Sequence, residues 1–140
     1  MRDILFRGKN KTTGKWVYGN LIHVGDYWCI LEREEDLHPM DVPYLDCEIG
    51  WIDGKATPVD PQSVGQFTDL YDKNGKKIFE GDIVKGRNPL HEDRLIYRIA
   101  YAENGFYYFD EDDVAWYPYN IEDDEAIGNI HDNPGYLEVK

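Results

Sequence analysis

Two Asn-Gly steps, Asn74-Gly75 and Asn104-Gly105, constrain this chain more than any other feature. Leu70-Tyr71-Asp72-Lys73 and Lys76-Lys77-Ile78-Phe79 flank the first; Leu95–Glu103 and Phe106–Phe109 flank the second. Asn and Gly relax into the positive φ angles of a two-residue type I′ turn, whose twist matches that of paired strands. Both segments are therefore expected to be β-hairpins. In the second, a two-residue loop pairs Tyr101 with Tyr108 and Glu103 with Phe106. Side chains alternate along a strand, so Leu95, Tyr97, Ile99, Tyr101, Phe106 and Tyr108 share a face expected to line the core. Arg94, Arg98, Tyr107 and Phe109 fall on the other.

The remaining sequence extends the same pattern. Eleven Tyr, five Phe and four Trp favour strands, while thirteen Gly and seven Pro favour tight turns. Ile4–Gly8 and Lys15–Leu21 flank a polar loop with Gly14 near its end, an opening hairpin with Trp16 and Tyr18 on one face and Val17 opposite. Tyr27–Leu31 reads as a third strand buried on both sides. Pro39, Pro43, Pro58 and Pro61 exclude a long helix or a central strand across residues 32–65, leaving short edge strands and loops. Further on, Gly81-Asp82 supplies a turn, and strands are expected at 82–87, 94–103, 106–110, 114–118 and 127–131, with Ile127 inside. The fold class is mostly β with little helix: an N-terminal antiparallel lobe followed by a small SH3-like β-barrel. At 140 residues the chain fits one domain, with lobes of about 1–63 and 64–140.

Charge narrows the possible partners. The net charge of −13 argues against broad, non-specific nucleic-acid binding. Its distribution is bipolar. Residues 1–20 carry Arg2, Arg7, Lys9, Lys11 and Lys15 against Asp3, a local +4, whereas residues 99–140 reach −10. Opposite poles suit head-to-tail pairing of copies, or presentation of one pole to a partner. Cys29 and Cys47 have neither disulfide-framework nor zinc-knuckle spacing, and read as buried, reduced thiols. The Met1–Arg7 segment lacks a long apolar run, and none of the roughly 20 residues needed to cross a bilayer occurs elsewhere, so a cytoplasmic location without membrane insertion is expected.

Residue types that carry chemistry are present, but not in the spacings chemistry needs. His23, His38, His91 and His131 form no recognised ligand motif. Convergence of His38, Asp41 and Cys47 would make a zinc site, but separate surface and core roles explain them more simply. Asp110–Asp113 and Glu122–Glu125 lack the spaced order of a calcium loop and read as solvated acidic loops. No phosphate-binding glycine loop or serine nucleophile elbow occurs. Neither a catalytic residue, a metal nor a cofactor is assigned. Glu80 and Asp82, two residues apart on one strand face, would suit acid/base work, although a Gly-Asp turn more simply uses its carboxylate to satisfy backbone N–H groups. Trp16, Tyr18, Trp28, Trp51 and Trp116, beside Arg7, Lys9 and Lys15, would suit base stacking; core packing accounts for most aromatics in a β domain.

Three ordered blocks resemble a known family. Val64–Val84, containing Asp72-Lys73-Asn74-Gly75-Lys76-Lys77-Ile78-Phe79-Glu80-Gly81-Asp82, is similar to the central signature of the YopX family. Ile4–Lys9 with Gly14–Gly19 resembles its N-terminal signature, and Ile127–Pro134 its C-terminal one. Asp69 stands where that family more often carries Gly. The resemblance implies a β-barrel-rich fold in small proteins of phages and prophages, and no established activity.

The expectation is thus a non-enzymatic phage or prophage accessory protein acting through self-association or a protein partner. The residues singled out for partner binding are Arg7, Lys9, Lys15, Trp16, Gln66, Glu80 and Asp82. Two other readings stand beside it: a nucleic-acid-binding module using the basic hairpin, and an acidic nucleic-acid mimic that occupies a host protein.

Overall fold

A computed structural model describes residues 4–32, 56–87, 94–110, 112–118 and 121–137. His38, Asp41 and Cys47, weighed above as a zinc site and set aside, lie outside the described residues together with Trp51 and His91. The chain forms two compact units, Asp3–Gln66 and Phe67–Lys140 with Met1–Arg2.

The N-terminal unit is built on β1 (Phe6–Lys9), β2 (Trp16–Val24), β3 (Tyr27–Glu32) and β4 (Thr57–Pro58), antiparallel in the order β4-β3-β2-β1. The opening hairpin forms as expected, with Lys9 opposite Trp16. Asn10 organises its loop: Oδ1 accepts the backbone N–H groups of Thr12 and Thr13, and Gly14 adopts φ +72°. Val17, Ile30 and Val59 form the core, with Phe6, Leu21, Trp28 and Val64 packed against them. β3 is buried only at its centre, at Cys29 and Ile30, whereas Tyr27 is exposed. It lies between β2 and the two-residue β4, too short to cover its whole length.

β5 (Gly65–Tyr71) carries the chain from one unit to the other. Gly65 and Gln66 pair with β1, and the residues from Phe67 pair with β6 (Lys77–Phe79). Then β7 (Asp82–Arg87), β8 (Arg94–Ala102), β9 (Gly105–Phe109), β10 (Ala115–Trp116) and β11 (Glu125–Asn129) form one antiparallel sheet in the order β10-β9-β8-β7-β11. Short 3-10 turns lie at Pro61–Ser63, Ile121–Asp123 and Pro134–Leu137. The expected strands are thus present, but the SH3-like barrel is not closed. Among the described residues the edge strands β10 and β11 do not pair; β10 has two residues, and β11 is interrupted by a bulge between Ala126 and Gly128. That bulge leaves Ile127 half-buried rather than inside, and Ala126 packs on the core instead.

The Asn-Gly steps turn the chain by different devices from those expected. At the first, Gly75 takes φ +77° while Asn74 does not, and Gly75 N–H bonds to the Asp72 carbonyl. The Asp72 side chain holds this longer turn by accepting the N–H groups of Asn74 and Lys76 at 2.9 Å each. At the second, the loop residues are Glu103 and Asn104; Glu103 takes φ +53°, and Ala102 pairs with Gly105. Tyr101 therefore faces Phe106, and Ile99 faces Tyr108. This two-residue shift from the expected register preserves every facing, because side chains repeat with period two. Tyr97, Ile99 and Tyr108 accordingly join Ile78, Val84 and Ile121 in the core, with Phe106 packed against them. Leu95 and Tyr101, at opposite ends of β8, are exposed.

Asp69 takes φ +69°, in a bulge where β5 skips two residues between the partners of Phe79 and Ile78. Glycine adopts that conformation without strain, whereas a residue with a side chain is strained there.

Tyr97 is wholly buried and stacks on Tyr108 at 5.1 Å, yet its hydroxyl makes no hydrogen bond among the described residues. Burial, with Asp110 and Asp124 nearby, pushes its ionisation upward, so the group stays neutral. Tyr97→Phe removes a desolvated hydroxyl without opening a cavity, and is expected to be neutral or stabilising by up to about 1 kcal/mol. Urea unfolding checks this; a clear loss of stability would show that the hydroxyl is satisfied.

Candidate functional site

Strand register places Arg7, Lys9, Trp16 and Tyr18 on one face of the opening hairpin, since Arg7 lies opposite Tyr18 and Lys9 opposite Trp16. The Arg7 guanidinium sits over the Trp16 ring at 4.5 Å from its centre, and the Lys9 ammonium at 5.4 Å. Such cation–π contacts contribute roughly 0.5–2 kcal/mol each. Arg7 is only 5% exposed. Trp16 is half-buried under its own cations, an arrangement that serves the hairpin better than a stacking base. Lys15 is exposed beside it in the loop. Gln66 does not join this face: it lies opposite Phe6, on the side that packs toward the core.

Glu80 and Asp82 both belong to the C-terminal unit, but not to one strand face. Glu80 is in the turn, and Asp82 opens β7. Asp82 is buried, and its carboxylate accepts the Phe79 N–H at 2.7 Å. This is the turn-closing role of a Gly-Asp step.

The other buried carboxylates are similarly engaged. Asp72 accepts Asn74 N–H and Lys76 N–H through one oxygen and Ala126 N–H, 54 residues away, through the other. Burial alone would raise the Asp72 carboxyl, but these three donors and the Lys76 charge hold it below the ordinary carboxylate range. Asp124 is 3% exposed, accepts the Tyr108 hydroxyl at 2.7 Å and lies against Gly86, where an added Cβ would meet its carboxylate. Burial and then Asp124 push the Tyr108 hydroxyl far above its usual range, so it acts as a fixed donor. Asp110 accepts the Trp116 indole N–H and the N–H groups of Asp112 and Val114; these outweigh its burial and lower it. Asp113 pairs with Arg98 at 2.8 Å, and Glu125 with Lys73 at 3.6 Å. Among the described residues no three His, Cys, Asp or Glu side chains gather as a metal site, and no helix is long and apolar enough to cross a membrane.

A feature missed in the sequence is an open cleft of about 300 Å³ in the C-terminal unit, lined by Thr68, Asp69, Leu70, Tyr101, Asn104, Gly105 and Phe106. Two devices build it: the β5 bulge that carries Asp69, and the β8–β9 turn that carries Asn104. The only signal available beforehand was an acidic residue at a position suited to glycine.

Comparison with known proteins agrees with this architecture. The family model described as YopX protein matches residues 5–138. The crystal structure of protein EF1440 from Enterococcus faecalis aligns with a TM-score of 0.57 at 25% identity, covering 98% of this chain and 99% of that one. No curated protein matches significantly.

Because Asp72 has a lower pKa folded than unfolded, its contribution is present above about pH 4 and is lost as pH falls through the folded value. Asp72→Asn is expected to cost about 2 kcal/mol at pH 7, less at pH 3. Urea unfolding at both values measures the gap. An identical gap would show that the negative charge is not what holds these backbone groups.

Proposed function

The chain belongs to the YopX family, and from that premise we propose a non-enzymatic phage or prophage accessory protein that assembles head to tail with its own copies in the bacterial cytosol. The observation that carries this reading is the placement of opposite charge on solvent-facing turns. Lys11 and Lys15 are exposed on the β1–β2 loop of one unit; Asp112, Asp113, Glu122 and Asp123 are exposed on loops of the other. Because the basic loop belongs to one unit and the acidic loops to the other, each copy can offer a basic loop to one neighbour and an acidic loop to another, giving a ring or a filament. The commitment of Asp72, Asp82, Asp110 and Asp124 to structural hydrogen bonds supports a role without acid/base chemistry. The solved Enterococcus structure supports a bacterial setting.

Nucleic-acid binding is a weaker reading. Arg7 is buried, Trp16 is engaged by Arg7 and Lys9, and the chain as a whole repels a polyanion. The acidic-mimic reading draws on the same negative loops but leaves the basic loop without a purpose.

Light scattering on the purified chain tests the proposal. Above single-chain mass is expected at low salt, falling toward one chain near 1 M salt, where the Debye length is only about 3 Å. Reversal of Lys11 and Lys15 to Glu is expected to abolish the assembly. A strict monomer at low salt and high concentration would overturn the reading.

A further inference from the structure

We propose that the cleft between the β5 bulge and the β8–β9 turn binds a cationic side chain of a polypeptide, a lysine ammonium or an arginine guanidinium. The inference is independent of self-association, because it rests only on groups within the C-terminal unit.

Three observations converge. First, Asp69 holds a left-handed backbone, φ +69°, that favours glycine. Asp residues in this region normally gain from hydrogen bonds to nearby backbone. Here the Asp69 carboxylate has no hydrogen bond or ion pair among the described residues, in contrast to Asp72, three positions on, which has three donors. Local structure therefore does not account for the acid, and strain of this kind gathers at ligand sites.

Second, the wall of the cleft is aromatic. Tyr101 is 55% exposed and meets Phe106 edge-on, with ring centres 5.3 Å apart at 76°. Phe106 is anchored on the core and limits the movement of the pair. An exposed aromatic ring and a carboxylate lining one cleft both attract a cation, the first through its face and the second through its charge.

Third, the cleft offers acceptors that no described group fills, the Asp69 carboxylate and the Tyr101 hydroxyl oxygen. The Tyr101 hydroxyl makes no hydrogen bond among the described residues, whereas Thr68 is occupied with the Ile78 carbonyl and the Leu70 N–H. The Asn104 carbonyl accepts the Tyr107 hydroxyl at 3.0 Å, which fixes that side chain at the rim. An ammonium or guanidinium supplies only donors, and so complements what Asp69 and Tyr101 offer. At about 300 Å³ the open cleft has room for one long side chain.

The test is an NMR titration of the labelled full chain with N-acetyl-lysine amide, N-acetyl-arginine amide and the neutral N-acetyl-norleucine amide. Saturable shifts at residues 68–70 and 101–106 are expected for at least one cationic probe, with Kd around the millimolar range typical of a single contact. The neutral probe is expected to give none. Asp69→Asn preserves shape and removes charge, and should weaken binding by about fivefold or more, as loss of an ion pair worth roughly 1 kcal/mol requires. Asp69→Gly is expected to weaken binding equally while raising Tm by roughly 2–4 °C, because the backbone strain is relieved. Absence of saturable shifts, equal binding of the neutral probe, or unchanged binding in Asp69→Asn would each overturn the assignment.

Discussion

The C-terminal unit depends on one carboxylate with two tasks. Asp72 closes the turn after β5 with one oxygen and holds Ala126 of β11 with the other, so a local turn and an edge strand 54 residues later share an anchor. Next to it, Lys73 N–H bonds to the Asp124 carbonyl, and the Asp124 carboxylate receives the Tyr108 hydroxyl. Turn, edge strand and central hairpin are thereby linked through two buried acids. A buried carboxylate is tolerated only when its lone pairs are filled, and here backbone N–H groups and a phenol fill them.

That arrangement explains how so acidic a chain keeps an ordered core. The buried acids serve as hydrogen-bond acceptors, while Asp112, Asp113, Glu122 and Asp123 are exposed in loops and turns, where water screens them. The basic hairpin solves the opposite problem by laying Arg7 and Lys9 against Trp16. Among the described residues, Asp72, Asp82, Asp110 and Asp124 hold backbone or side-chain donors of their own unit. Asp69 differs: it accepts backbone strain without a local hydrogen bond in return.

Much of the fold was legible because hairpins are local. The strands around Asn74-Gly75 and Asn104-Gly105 lie close to their expected places, and Tyr97, Ile99 and Tyr108 are buried as alternation requires. The turns themselves were misread, since an Asp72 side chain or a left-handed Glu103 can replace the simplest Asn-Gly geometry. The barrel failed for another reason. Whether a sheet closes depends on edge-strand length and on bulges such as that at Ala126/Gly128, which alternation does not reveal. Of the residues singled out for partner binding, Arg7, Lys9 and Trp16 do converge; Gln66 was misplaced because its facing depends on register with a strand nearly 60 residues earlier.

By itself the amino-acid order determined the strand-rich class, the hairpin positions, the bipolar charge and the membership of a family, all properties of short segments or of simple sums. Tertiary structure alone decided which acids are buried as acceptors, that the five-stranded sheet stays open, and that Asp69 and Tyr101 line one cleft. The contacts behind them reach beyond any one hairpin, as between Tyr108 and Asp124 or between Asp72 and Ala126, 54 positions apart, and they are set by the register of whole strands, which no local pattern encodes.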